Sequence, residues 1–331
     1  MKPTAFNTTV LFYPNKNPKL RLFALWYFTT LMIVWNILGH TFLGFEQSWA
    51  SPLAAIATAV LVQFLLEWMD AKSKNRTLRF AGGAGPFLNF LPAALIPGFA
   101  CGMLLYPNSN VWPIVFAAAL SISSKVIFRA PVGNGHTQHI FNPSNFGVAA
   151  TLLLFPQVGF APPYHFTENI TGAWHWILPA FILLTGVIIH GCFTGRLLLV
   201  GAWLGGFVLQ GVLRAWYFGT PLYVPLMPMS SAAFIVFTLY MVPDPATTPI
   251  NLRRQALFGF AVAMVYGVIQ VMHLVFGLFF ALIIVCAIRG LSLHLWNFMG
   301  KFPASAAQDK EVSQRAAPEL SPGQLPVNQP T

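Results

Sequence analysis

The stretch SSAAFIVFTLYMVPDPATTPINLRRQALFG, residues 230–259, contains the signals that decide the fold. Apolar chain runs up to Val242, two prolines then flank Asp244, and apolar chain resumes after Arg253 and Arg254. Pro243 and Pro245 fix their own φ and push the residues before them toward extended backbone, so a helix must end there. An apolar helix, a rigid polar turn and a basic helix start are typical of a chain that crosses a membrane and returns.

The composition of the whole chain predicts the same solvent. Of its 331 residues, 56% are hydrophobic and 8% are charged, and the mean hydropathy is +0.66. These values lie far from those of a soluble domain. The sequence therefore predicts an all-α integral membrane protein that contacts membrane lipid.

The hydrophobic runs predict about ten transmembrane helices, because a bilayer core about 30 Å thick needs about 20 apolar residues per helix. The predicted segments are Leu22 to Phe45, Pro52 to Met69, Pro86 to Tyr106, Val111 to Phe128, Asn145 to Phe155, Trp174 to Phe193, Leu197 to Leu213, Val224 to Val242, Ala256 to His273 and Leu274 to Trp296.

The basic residues predict the orientation of these helices. When the chain is threaded through the membrane from a cytoplasmic N-terminus, 17 of the 18 Lys and Arg residues fall on or face the cytoplasmic side. Only Arg214 falls on the other side. This positive-inside bias predicts a multi-pass protein with cytoplasmic N- and C-termini. It also explains the net charge of +10 without a nucleic-acid partner.

The pattern of breaks predicts how the chain is organised. Prolines interrupt the third predicted span at Pro92 and the eighth at Pro225. Breaks in corresponding spans are typical of two five-helix inverted repeats around a central site, here 22–155 and 174–298. We expect a polytopic domain over 1–300 and a disordered cytoplasmic tail over 301–331, where Pro, Ala, Ser, Gln and Glu dominate.

A second polar stretch, SSKVIFRAPVGNGHTQHIFNPSNFG at residues 123–147, lies between the fourth and fifth spans. Lys125 and Arg129 precede a glycine-rich turn, and Asn142-Pro143 is a typical helix start. These cations beside a helix N-terminus either follow from topology and capping or form a cradle for phosphate. His136 and His139 have no third ligand near them in sequence, so no metal site is predicted.

Asp244 has three possible roles in the sequence. It could cap the next helix, pair with Arg253 or Arg254, or hold a ligand. Sequence alone does not rank these roles.

The two polar stretches together resemble the RnfD/NqrB family, the membrane subunits of the Rnf and sodium-pumping NADH:quinone oxidoreductase complexes. The matching residues are Lys125, Gly133, Gly135 and Phe141-Asn142-Pro143 in the first stretch, and Asp244-Pro245, Thr247-Thr248, Arg253 or Arg254 and Phe258-Gly259 in the second. Pro243 stands where the family has threonine. Within the superfamily, this compact chain looks most like the UnbU-type (enediyne biosynthesis protein) branch.

The resemblance implies a multi-pass protein of the bacterial inner membrane that takes part in electron transport with other subunits and binds a flavin. In RnfD, a long loop after the fifth helix carries the threonine that is joined to FMN. Here the loop from Pro156 to Trp174 is short and lacks that sequence. We therefore expect FMN or riboflavin to be held non-covalently, without a covalent FMN.

The predicted cofactor-binding residues are Lys125, Arg129, Asn142, Asn145, Asp244, Thr247 and Thr248. We expect the cations to contact the anion or flavin and the other residues to position the helix starts. No stand-alone catalytic site is predicted. The alternatives are a small-molecule permease on the same fold, since broken spans in repeats are a transporter architecture, or a membrane component associated with natural-product biosynthesis.

Overall fold

A computed structural model describes residues 18–133, 135–162 and 165–300, and these residues are mostly helical. The predicted tail at 301–331 lies outside the described residues. The helices of the first half are α1 (Pro18–Leu38, continued by a π-helix at Gly39–Leu43), α2 (Ala50–Ser73), α3 (Ala84–Phe90), α4 (Pro92–Leu104), α5 (Trp112–Ile127) and α6 (Pro143–Leu154).

The second half contains six more α-helices. They are α7 (Trp174–Ile188, continued by a π-helix at Ile189–Thr194), α8 (Leu197–Phe218), α9 (Tyr223–Leu226, continued by a 3₁₀ turn at Met227–Ser230), α10 (Ala232–Val236, continued by a π-helix at Phe237–Met241), α11 (Leu252–Val271) and α12 (Gly277–Phe298). Two antiparallel pairs of short strands join helices: β1 (Leu105–Tyr106) with β4 (Gly159–Phe160), and β2 (Arg129–Gly133) with β3 (His136–His139).

Seven described helices, or eight if the bent pair α9–α10 is one span, are long and apolar enough to cross a membrane. The chain thus has the architecture of a multi-pass membrane protein. All ten predicted segments are helical, but α5 has 16 residues and α6 has 12. At 1.5 Å per residue, 12 residues span about 18 Å, short of a bilayer core of about 30 Å. The count of ten crossings and their orientation remain predictions.

The third and eighth spans are both interrupted, but to different degrees. Ala84–Leu104 is a single 21-residue span with an interruption at Leu91, where the N–H groups of Ala94 and Leu95 both reach the Leu91 carbonyl. Tyr223–Ser230 and Ala232–Met241 instead meet at 73°, because Ser231 is extended (φ −87, ψ 141). Both spans that were predicted to be broken are thus interrupted, but only the eighth is sharply bent.

Side-chain caps fix where three helices begin. Asn142, Ser231 and Asn251 all have extended backbone, and each side chain accepts a hydrogen bond from an N–H of the first turn. Such bonds satisfy backbone donors that have no partner inside the helix. The helix start predicted at Asn142-Pro143 is thus confirmed.

The helices of the two halves pack in a similar order. In each half the second predicted span packs on the fourth, which is α2 on α5 in the first half and α8 on α11 in the second. The fourth span also packs on the fifth, which is α5 on α6 and α11 on α12. This order agrees with the predicted repeats at 22–155 and 174–298, which remain a prediction.

The closest approach between α8 and α11 depends on Gly259. A Cβ added there would lie 2.3 Å from the Leu199 carbonyl oxygen and 2.9 Å from the Trp203 nitrogen. Both atoms belong to the backbone of α8, so neither can rotate away. Beside this contact the indole of Trp203 is fully buried and donates to Thr238 Oγ1 at 2.9 Å, which ties α8 to the eighth span.

We predict that Gly259→Ala lowers stability by about 1–3 kcal/mol, because a methyl group would force the two helices apart. The unfolding temperature of the protein in mild detergent measures the effect. Gly201→Ala is the matched control, since a Cβ at Gly201 meets nothing within 4 Å. Its higher helix propensity should leave stability unchanged or slightly higher. Equal unfolding temperatures for the two variants would contradict the role given to Gly259.

Candidate functional site

The turn from Asp244 to Thr248 is held by Asp244 itself. Its carboxylate accepts hydrogen bonds from the Ala246 N–H at 3.0 Å and from Thr247 Oγ1 at 3.1 Å. Its main-chain carbonyl accepts from Thr248 Oγ1 at 2.6 Å. With a proline on each side, Asp244 thus orders the five-residue turn that follows the eighth span.

The structure separates the three roles considered for Asp244. Asn251 caps α11, accepting from the N–H groups of Arg253 at 3.1 Å and Arg254 at 3.4 Å. No ion pair joins Asp244 to either arginine within the described part of the chain. Capping of the next helix and pairing with its arginines are therefore excluded, and ligand binding remains a prediction.

The hairpin β2–β3 packs against this turn. Gln138 Nε2 donates to the carbonyls of Pro245 at 3.4 Å and Thr248 at 3.3 Å. Gly133 and Gly135 form the hairpin turn with φ of 94° and 70°, which residues with a side chain rarely adopt. The two polar stretches of the sequence, more than a hundred residues apart, thus meet in one place.

Two arginines from other parts of the chain donate hydrogen bonds to the turn. Arg289 of α12 donates from Nη1 to the Thr247 carbonyl at 2.8 Å and from Nη2 to Gln138 Oε1 at 2.9 Å. Arg196, between α7 and α8, is 1% exposed and donates from Nε to Thr248 Oγ1 at 2.9 Å. Together these side chains form the Asp244 cluster, which consists of Lys125, Gln138, Arg196, Asp244, Thr247, Thr248 and Arg289.

The two predicted cations have different surroundings. Arg129 is committed to the hairpin, since its guanidinium donates to Thr137 and to the Lys125 carbonyl. The Lys125 ammonium, half-buried at the end of α5, donates to the Ala93 carbonyl and interacts electrostatically with Asp244. Lys125 therefore belongs to the cluster, whereas Arg129 shapes the hairpin beside it.

Asn142 and Asn145 anchor α6 beneath the cluster. Asn142 Nδ2 donates to the Met241 carbonyl at 3.0 Å, and Asn145 Nδ2 donates to the Phe279 carbonyl at 3.1 Å. Asn145 Oδ1 is buried and has no partner among the described residues. Gln255 Oε1 is also buried and without a partner among the described residues. The Gln255 amide nitrogen donates to the Gly195 carbonyl, next to Arg196.

Burial shifts the pKa values of groups in the cluster and beside it. Burial raises the pKa of the Asp244 carboxyl, although hydrogen bonds from Ala246 and Thr247 act in the opposite direction. Burial also lowers the pKa of the Arg196 guanidinium to about 10. The His139 imidazole has a pKa lowered to about 4 by burial and by nearby cations, so it is neutral at pH 7.

The structure brings Lys125, Asp244, Thr247 and Thr248 together inside the cluster, with Arg129 and Asn142 at its border. Asn145 lies in the first turn of α6 and bonds the first turn of α12, about 15 Å along that helix from Arg289. Sequence reasoning missed Gln138, Arg196 and Arg289 as site residues. Both arginines were assigned to topology. The signal that could have found Arg196 is its place between two apolar helices with almost no loop to carry it into water.

The fold and the site define a multi-pass helical membrane protein with a polar, cation-rich cluster at one end of the bundle. A comparison with models of protein families found no match, and a search of curated proteins found none either.

We predict that Arg289→Met lowers stability by about 2–4 kcal/mol, because it removes two charge-assisted hydrogen bonds between the turn and the hairpin. Thermal unfolding in detergent measures this loss, and limited proteolysis should show faster cleavage within residues 129–139. Arg253→Met is the matched control, since Arg253 is exposed and its side chain makes no hydrogen bond within the described ranges. Unchanged protease resistance in Arg289→Met would contradict the bridging role.

Proposed function

We propose that the chain is an RnfD/NqrB-like membrane subunit that takes part in electron transport and holds FMN non-covalently at the Asp244 cluster. The observation that supports this most strongly is an imbalance of charge in a largely buried site. Lys125, Arg196 and Arg289 stand against a single carboxylate, Asp244. An anion at this place would balance the excess.

Cations left unpaired in a poorly solvated site raise the free energy of the folded protein. An isolated buried charge costs several kcal/mol or more unless a counter-charge or hydrogen bonds compensate it. Among the described residues, Arg196 uses Nε and Nη1, and its Nη2 has no hydrogen-bond partner. The Lys125 ammonium has three N–H groups, and the Ala93 carbonyl is its one acceptor within the described ranges. Both cations thus have donors to spare for a phosphate.

The buried amide oxygens support a flavin over a simple anion. Asn145 Oδ1 and Gln255 Oε1 are acceptors without donors among the described residues. A buried unpaired acceptor costs about 1–3 kcal/mol, so a ligand N–H that reached one of them would be favoured. A flavin nucleotide carries both a phosphate and a ring N–H.

The roles of the protein residues in this proposal are binding and orientation. Lys125 and Arg196 hold the phosphate, and the Asp244 turn with Thr247 and Thr248 keeps Arg196 and Arg289 in place. When bound, the flavin supplies one- or two-electron chemistry that these side chains lack. The proposal includes ten membrane crossings as two inverted repeats in a bacterial inner membrane, cytoplasmic termini, and partner subunits that deliver and accept electrons.

We predict that the purified chain binds FMN at least about tenfold more tightly than riboflavin, because only FMN has the phosphate that the cations would contact. Lys125→Gln should remove most of this difference and leave riboflavin binding unchanged. Quenching of flavin fluorescence on titration with protein gives both affinities. Flavin absorbance after extraction in mild detergent tests for native cofactor.

Lys72→Gln is the control, since Lys72 is an exposed cation of α2 outside the cluster. Loss of the FMN preference in both variants would show a general effect of charge. If the wild-type chain binds neither flavin, whether titrated or co-purified, the proposal is wrong.

A small-molecule permease is the second candidate, and the bent eighth span favours it. Irregular backbone at membrane depth survives where it is buried or lines a cavity, as in the broken helices of transporters. The two helical pieces of this span meet at 73°. For this candidate we predict that proteoliposomes containing the chain take up a solute that protein-free liposomes exclude. Uptake by a chain that binds no flavin would replace the electron-transport proposal.

A further inference from the structure

An open pocket lies at the end of the bundle opposite the Asp244 cluster. Its volume is about 570 Å³. It is formed by the last turns of α8 and α11 and by the start of the bent eighth span. The residues that line it include Arg214, Thr220, Pro225, Tyr266, Gln270 and His273.

Arg214 gives this pocket its chemistry. The Nε atom of Arg214 is buried and has no hydrogen-bond partner within the described residues. The pocket lining contains no Asp or Glu, and none of the ion pairs described involves Arg214. A guanidinium cannot lose its charge at neutral pH, so an unpaired buried N–H keeps the full cost of its desolvation. A bound anion would remove that cost.

The same arginine is the exception in the charge pattern of the sequence. It is the one Lys or Arg of 18 that falls on the side opposite the others when the chain is threaded. Topology therefore does not explain a cation here. The cation instead lies in a pocket, where the polar side chains of Tyr266, Gln270 and His273 also form part of the lining.

The remaining walls of the pocket are apolar. Phe218, Val224 and Val271 line it, with Pro225 and Pro228 on the side of the bent span. Two exposed aromatic side chains lie next to pocket residues in the chain: Trp216, 81% exposed, follows Arg214 by two residues, and Tyr223, 67% exposed, precedes Val224. Aromatic residues of this kind gather at the boundary between hydrocarbon and water. A ligand that enters there meets a cation with apolar walls around it.

We propose that this pocket binds the head of an anionic amphiphile, a carboxylate or phosphate on an apolar body, with Arg214 as the anion-binding residue. The proposal is independent of the flavin at the opposite end. Two sources share this chemistry: a soluble alkyl carboxylate and the headgroup of an anionic phospholipid. A planar guanidinium suits both, since it can donate two parallel hydrogen bonds to carboxylate or phosphate oxygens.

The experiment uses the full chain in nanodiscs of phosphatidylcholine, with radiolabelled decanoate as the probe. We expect saturable binding that decanol and decyltrimethylammonium do not displace. Arg214→Gln should weaken decanoate binding at least about tenfold, the loss expected for a charge-assisted pair. Arg253→Gln, which removes an exposed cation at the other end, should leave it unchanged.

A second variant separates loss of binding from loss of folding. Thr220 is exposed at the pocket, so Thr220→Trp fills the entrance without removing a buried group. It should abolish decanoate binding while the unfolding temperature stays within a few degrees of wild type.

A second arm tests the lipid source, with phosphatidylglycerol added to the nanodiscs and retained lipid counted by native mass spectrometry. Retention of phosphatidylglycerol by wild type and not by Arg214→Gln, together with displacement of decanoate, assigns the site to a lipid headgroup. Decanoate binding that phosphatidylglycerol does not displace assigns it to a soluble carboxylate. If neither anion binds in a way that depends on Arg214, the proposal is overturned.

Discussion

One end of the molecule depends on two hydrogen bonds that the guanidinium of Arg289 donates. From the last helix it reaches both the carbonyl of Thr247 and the side chain of Gln138, two segments that are more than a hundred residues apart. Among the described residues, the Thr247 carbonyl of the turn and the Gln138 amide oxygen of the hairpin accept no hydrogen bond from their own segments, and lipid offers no donor. One side chain with several donors solves this for both segments, which is a use for which arginine is better suited than lysine.

The sequence was informative about elements and poor about what joins them. The end of the eighth span near Val242 and the cap at Asn142 follow from local rules about proline and asparagine, and both are found. The contribution of Arg196 could not be read in this way, because positive-inside counting gives every cation the same meaning. Its burial appears only when α7 and α8 are seen to be joined with hardly any loop between them.

The two proline-rich spans show a similar limit. The same residue type produces a mild interruption at Pro92 and a sharp bend at Ser231. Proline removes one backbone donor in each case, but the direction of the chain depends on the next residue that leaves helical backbone. In the eighth span that residue is Ser231, which ends one helical piece and caps the other. Which residue leaves helical backbone depends on packing against other helices, and local sequence rules do not predict that packing.

The glycine contacts between α8 and α11 have a mechanical consequence. Added Cβ atoms at Gly206, Gly259 and Gly267 would all lie 3.0 Å or less from atoms of the facing helix, so these two helices pack in close contact at three places along their length. The opposite wall of the Arg214 pocket is the proline-rich, bent start of the eighth span, whose close contact with α8 at Gly211 is made by the Leu226 side chain. A side chain can change rotamer, whereas the backbone contact at Gly259 cannot yield in this way. We therefore expect any change in the width of the pocket to occur at the short segment around Pro225 and Pro228, which ends at the extended Ser231.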